Sequence, residues 1–142
     1  MKKTITLLTI FLIISFHSKA QINLNDFDDA EIYFNGIFED NSQIDEYGNI
    51  LIDKGSASAG RLMFRITDVN LKMEEKPEEP GCADICPPRI IIHFECRKSE
   101  CILDPAFDME NFQSGSITIL DVKKGKKAFE FLKAYKEFIQ KN

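Results

Sequence analysis

The sequence predicts an α+β domain, with an antiparallel sheet or partly closed roll of about six strands capped by one C-terminal amphipathic helix. Three observations carry this expectation. Short apolar stretches with period-two alternation recur along the chain, most clearly Leu62, Phe64 and Ile66 against Met63, Arg65 and Thr67. Clusters of Gly, Pro, Asn, Asp and Ser separate these stretches. The final segment changes period. Ala128, Phe131, Leu132, Tyr135, Phe138 and Ile139 recur at steps of three and four, which puts one apolar stripe on a helix.

The elements follow in order. Residues 1–20, MKKTITLLTIFLIISFHSKA, read as a secretory signal peptide. Lys2 and Lys3 make a short positive n-region of bacterial type. Ile5 to Phe16 is apolar apart from Thr and Ser, and Ser18-Lys19-Ala20 supplies a small-x-small cleavage site before Gln21. The apolar run of twelve residues is short of the roughly twenty that cross a bilayer. No cysteine stands near the cleavage point, so no lipid attachment is expected there, and no later run is apolar enough to be a transmembrane segment. The expected product is one exported domain, residues 21–142, periplasmic or extracellular.

Within it, NLNDFDDAE (23–31) forms a polar, acidic lead-in. EIYFNGIF (31–38) and NILID (49–53) read as strands around the turn-rich DNSQIDEYG, and GSASAG (55–60) as a small-residue loop before the strand RLMFRITDV (61–69). EEKPEEPG opens an acidic, proline-containing loop over 74–88, expected to stay out of the sheet because proline lacks the ladder donor. RIIIHFEC (89–96) is a strong strand, RKSE a four-residue turn, and CILD (101–104) its expected hairpin partner. Ser114-Gly115 marks a turn before the strand SITILD (116–121), and Asp121 is placed to cap the closing helix. No internal repeat is present.

Charge is unevenly spread. The whole chain carries −5, yet residues 123–142 hold seven Lys against two Glu, while residues 21–122 hold eight basic against twenty-one acidic side chains. An acidic body of this kind argues against nucleic acid as a partner. Lys123, Lys124, Lys126 and Lys127 crowd the start of the helix, where the macrodipole favours anions. One reading makes them an anion-binding group for a phosphate, a polysaccharide carboxylate or a headgroup. The alternative is pairing with the acidic body.

All four cysteines, Cys82, Cys86, Cys96 and Cys101, lie within twenty residues. In an exported chain an even count is read first as disulfides, with three possible connectivities. A hairpin through 97–100 would set Cys96 opposite Cys101 within bridging distance, and Cys82 could meet Cys86 across one turn. The nested pairing, 82–101 with 86–96, closes larger loops and gains more chain entropy, roughly 3 against 2 kcal/mol per bridge. The local pairing is favoured because a hairpin joins its partners without strain. The spacings C-x3-C and C-x4-C depart from C-x2-C zinc knuckles, and no C-x-x-C opens a helix, so neither a metal nor a redox role is expected.

The last third of the chain resembles a group of small uncharacterised secreted bacterial proteins. Their shared pattern is a strand, a cysteine pair around a polar turn with Ile after the second Cys, a further strand and a Lys-rich helix. The matching residues are Cys96-Arg97-Lys98-Ser99-Glu100-Cys101-Ile102 and Lys123 to Ile139. Cys82 and Cys86 fall outside that pattern, and the resemblance implies no activity. The terminal layout is also similar to pleckstrin-homology-like barrels, which end in a helix capping a bent sheet.

Two further groups carry side chains capable of chemistry. His93 is the only histidine after the signal, and the register that pairs Cys96 with Cys101 would also set it opposite Asp104. Such a pair orients a general base, but no G-x-S-x-G or comparable nucleophile signal accompanies it, and Ser56 and Ser58 sit in a small-residue loop. Asp26, Asp28, Asp29 and Glu31 offer oxygen ligands but lack EF-hand spacing and its central glycine, so a solvated lead-in is expected rather than a calcium site.

The sequence thus leads to an exported, non-catalytic binding or interaction module without a cofactor. Its partner would be an extracytoplasmic protein or an anionic surface. The alternatives are a small hydrolase or metal-dependent enzyme using His93 and Asp104, and an envelope-assembly or structural component.

Overall fold

A computed structural model describes residues 22–38, 41–53, 60–81, 85–104 and 111–142. The expected signal peptide, residues 1–20, and the loop at 54–59 with Ser56 and Ser58 lie outside the described residues.

The chain opens with a helix rather than a strand, α1 at Phe27–Asn35. Asp26 caps it by accepting the Asp29 N–H at 2.9 Å, and the acids of its first turn face the positive end of the helix dipole. The residues expected to alternate in a strand instead follow helical spacing. Ala30 and Phe34 are buried and Phe27 packs against the core, while Ile32 stands 71% exposed.

Two short strands follow, β1 at Gln43–Ile44 and β2 at Asn49–Asp53. Their turn is built by Asp45, whose carboxylate accepts the N–H groups of Tyr47 at 3.0 Å and Asn49 at 2.9 Å. Gly48 completes it at φ +86°, close beneath Ile139. β2 pairs with β3 at Arg61–Arg65, with Ile50 opposite Phe64 and Ile52 opposite Leu62.

The expected strand 61–69 ends early. A 3-10 turn at Ile66–Asp68 carries the chain out of the first sheet and into β4, Val69–Lys76, whose last three residues fall within the expected acidic loop. Val69, Leu71 and Met73 turn inward there, while Asn70, Lys72 and Glu74 lie on the other face. Pro77 then ends the strand, and Glu79–Pro80 (β5) pairs with Ile85–Cys86 (β6) as a small antiparallel ribbon.

β7 at Arg89–Cys96 is the centre of a second sheet, between β4 and β10 at Ser114–Ile119, in the order β10-β7-β4. Gly115 lies within β10, opposite Phe94, and forms no turn before it. β8 at Ile102–Leu103 and β9 at Asn111–Phe112 join the first sheet, whose order is β1-β2-β3-β8-β9. β7 and β8 are therefore not hairpin partners. Phe94 faces Leu71 and Gly115, while Leu103 faces Met63 and Asn111. The protein is α+β, and its ten described strands form antiparallel sheets that close no barrel.

The core lies where one face of β7 is divided between two coverings. At one end Phe94 meets Phe64 of β3, ring centroids 4.6 Å apart. At the other, Ile90 receives α2, Val122–Lys141, capped as expected by Asp121 accepting the Lys124 N–H at 2.9 Å. Gly125 makes that approach possible, because a Cβ there would stand 2.5 Å from Ile90 Cβ. Ala128, Phe131, Leu132 and Tyr135 are completely buried along the predicted stripe. Phe131 also meets Phe34 of α1, centroids 6.0 Å apart. The Tyr135 hydroxyl donates to the Asp45 carbonyl, tying α2 to the β1–β2 turn.

Candidate ligand cleft

Three connections cross between the two sheets at one seam. The turn 66–68 joins β3 to β4, residues 97–101 join β7 to β8, and Gln113 joins β9 to β10. Irregular backbone needs partners for its polar groups, and here the crossings supply them to one another. Arg97 N donates to Asp68 O at 2.9 Å, Cys96 N to Gln113 O at 2.9 Å, and Cys101 N to Phe112 O at 3.2 Å. Gln113 Nε2 returns a bond to Cys96 O at 3.3 Å.

The Cys96–Cys101 disulfide, with Cα atoms 5.7 Å apart, clamps the middle crossing. This is the expected bridge, reached without the expected hairpin: it joins the end of one sheet to the start of the other. Cys101 N–H also points at Cys96 Sγ, 3.0 Å away. Cys86 is disulfide-bonded too. Cys82 lies outside the described residues, and with it the expected 82–86 bridge.

Beside the clamp the seam opens into a cleft of about 350 Å³ lined by Thr67, Asp68, Arg97, Lys98, Ser99 and Cys101. The volume is at the small end of the range for small-molecule sites. Arg97 Nη1 donates to Thr67 O at 3.4 Å, so its guanidinium is anchored by a neutral carbonyl with other N–H groups left over. Thr67 Oγ1 turns to Asp68 Oδ1 at 3.4 Å. Behind this edge, Lys136 of α2 donates to Val69 O at 2.6 Å. Burial, and then the positive charge of Arg97, hold Lys136 below the usual lysine range.

The residues singled out from sequence are dispersed. Lys123 and Lys124 are exposed at the start of α2. Lys126 pairs with Glu75 at 2.7 Å, and Lys127 sits 6.0 Å over the Tyr33 ring. His93 is on the outer face of β7, opposite Lys72 and Ser116, with Nε2 3.3 Å from Glu74 Oε2. Hydrogen bonding from Lys76 first, and from His93 second, lowers the Glu74 carboxyl below the ordinary range. Asp104 is not its cross-strand partner. It follows β8 in the other sheet and is 3% exposed. Asp26 and Asp29 are engaged in capping α1, where Asn25 Nδ2 also donates to Asp29 at 2.8 Å. Among the described residues no group of three or more His, Cys, Asp or Glu side chains is arranged to hold a metal ion.

The cleft itself was missed in the sequence. Arg97-Lys98-Ser99, a basic and polar tripeptide held between paired cysteines, was a local signal for one wall. Nothing local announced that Thr67 and Asp68, thirty residues earlier, form the other. Compared with protein-family models, with curated proteins and with solved structures, the chain matches none.

Proposed function

We propose that this chain is an exported, non-catalytic binding module and that the cleft at the sheet seam is its ligand site. The observation that carries the reading is the cleft's construction. Its walls come from two different sheet crossings, bonded to each other and held by the Cys96–Cys101 bridge. Side chains on such a frame are preorganised, so a ligand binds without first having to order a loop. The lining offers donors from Arg97, Lys98 and Ser99. The hydrolase alternative drew on a His93–Asp104 pair. His93 instead lies on an open sheet face beside Glu74, and Asp104 follows β8 in the other sheet, so that pair does not form.

The test is two-dimensional amide NMR of the oxidised protein against a panel of neutral monosaccharides, uronates, phosphates and short peptides. At least one class should give saturable shifts centred on residues 67–68 and 97–101, with the compound recovered unchanged. Shifts that avoid those residues for every class, or turnover of a bound compound, would refute the reading.

A further inference from the structure

Resting on that reading, we infer that the cleft selects ligands bearing a carboxylate or phosphate group, with Arg97 and Lys98 as the residues that recognise the oxyanion. The case begins with charge. Residues 21–122 contain twenty-one acidic against eight basic side chains, so a cation in this body has carboxylates in excess to meet. Most take one. Arg61 pairs with Asp53, Lys76 with Glu74, Arg89 with Glu79 and Lys126 with Glu75, at 2.7 to 3.4 Å.

The cations at the seam take none. Among the described residues, no carboxylate stands within 4.0 Å of the charged nitrogens of Arg97, Lys98 or Lys136. The first and last of these have backbone carbonyls instead, Thr67 O and Val69 O. Asp68 does line the cleft, but its Oδ1 is turned to the Thr67 hydroxyl. In the lining itself two cations, Arg97 and Lys98, stand against the single carboxylate of Asp68, which leaves an excess of positive charge. A guanidinium with spare in-plane donors beside an open volume is suited to bidentate capture of a planar or tetrahedral oxyanion. Lys98 adds a point charge and Ser99 a hydroxyl donor at the same rim.

This anion site differs from the one expected at the start of α2. Lys126 is paired with Glu75, Lys127 lies over the Tyr33 ring, and Lys123 and Lys124 are exposed on the helix, whereas Arg97 and Lys98 line a cleft.

The experiment titrates the oxidised full-length mature chain with galacturonate, inorganic phosphate and galactose, following amide shifts and heats of binding. Galacturonate or phosphate should bind at residues 67–68 and 97–101, and galactose at least tenfold more weakly. The arm that responds more strongly identifies the source of the oxyanion, carboxylate or phosphate. Lys98→Gln, which removes no hydrogen bond within the protein, should weaken anion binding about fivefold, a charge-assisted contact of roughly 1 kcal/mol. Lys123→Gln should leave it unchanged. Galactose binding in the cleft as tightly as galacturonate, with Lys98→Gln without effect, would overturn the oxyanion assignment and leave the binding-module reading standing. Anion shifts as large at Lys123 and Lys124 as at Lys98 would also overturn it, as general counterion attraction. Silence of the cleft toward all three probes and the wider panel would overturn both.

Discussion

Replacing Gly125 by Ala tests the helix–sheet contact on which the core depends. In an ordinary helix the change stabilises by up to about 1 kcal/mol, because glycine has more backbone freedom to lose. Here the new methyl would stand 2.5 Å from Ile90 Cβ, 2.7 Å from Cγ1 and 3.1 Å from Cγ2. Ordinary contact begins at 3.4 Å, so α2 must lift off β7 by about 1 Å or the strand must yield. Ile90 Cβ cannot rotate aside, since it is fixed to the backbone of the central strand in β10-β7-β4. The upper end of the overpacking range, about 3 kcal/mol, therefore applies, and the propensity gain reduces it to roughly 2 kcal/mol net. For a chain of this size that lowers Tm by roughly 6–10 °C. Gly115→Ala is the comparison. Its Cβ would meet the two Leu62 Cδ methyls at 3.3 Å, and a leucine side chain can give way by that much. Its cost should stay under about 1 kcal/mol. Thermal and urea denaturation followed by circular dichroism measure both. A Gly125→Ala protein at or above the native Tm, or a Gly115→Ala protein that loses more, would refute the reasoning.

Three further outcomes are expected. Tyr135→Phe removes the hydroxyl donor to the Asp45 carbonyl, which keeps the Gly48 N–H at 3.1 Å, and should cost about 1 kcal/mol in urea unfolding. Desolvation first, then the nearby Asp45 charge, raises the Tyr135 hydroxyl's folded pKa above its unfolded value of 10.0. Its contribution is therefore complete below pH 10 and falls as pH rises beyond it, by about 1.4 kcal/mol per unit, because the unfolded chain gives up the proton first. Tyr135→Phe should flatten that alkaline decline, and an unchanged slope would count against the assignment. Replacing Cys96 and Cys101 together by Ala should cost roughly 2 kcal/mol, the chain-entropy value for so short a loop, read as a lower urea midpoint. Lys126→Gln should change stability by less than about 1 kcal/mol and lose even that in high salt, since both partners of the Glu75 pair are half exposed.

Where a segment's own periodicity decides its structure, the sequence was legible. NILID became β2 at its expected bounds, RIIIHFEC became β7, and the stripe from Ala128 to Tyr135 became the buried face of α2. The α1 segment misled because Ile32, Tyr33 and Phe34 form an apolar run of β-favouring residues. The Asp26 cap and the Phe27, Ala30, Phe34 spacing were the competing signal, and tertiary burial of Ala30 and Phe34 decides for the helix. In β4, Glu74, Glu75 and Lys76 masked the alternation begun by Val69, Leu71 and Met73. The charges are tolerated because one face of that sheet meets water. The Cys96–Cys101 bridge was anticipated for a reason that the fold does not use. Short separation alone makes the pairing possible, whichever sheets its ends belong to. The cleft was illegible because its walls meet only through the exchange of strands between sheets, which no local pattern encodes.

That exchange also constrains the order in which the molecule can be completed. β1, β2 and β3 come from the first half of the chain, yet the free edge of β3 is filled only by Leu103, forty residues further on. The Ile90 end of β7 likewise waits for α2, which begins at Val122. Closing such distant contacts is slow compared with local hairpin formation. A chain emerging from its N-terminus would hold an unpaired strand edge and an open apolar face until β8 and α2 have followed. Docking of α2 is therefore the step that commits this fold to the native state, and removal of α2 should leave an aggregation-prone chain rather than a smaller stable domain.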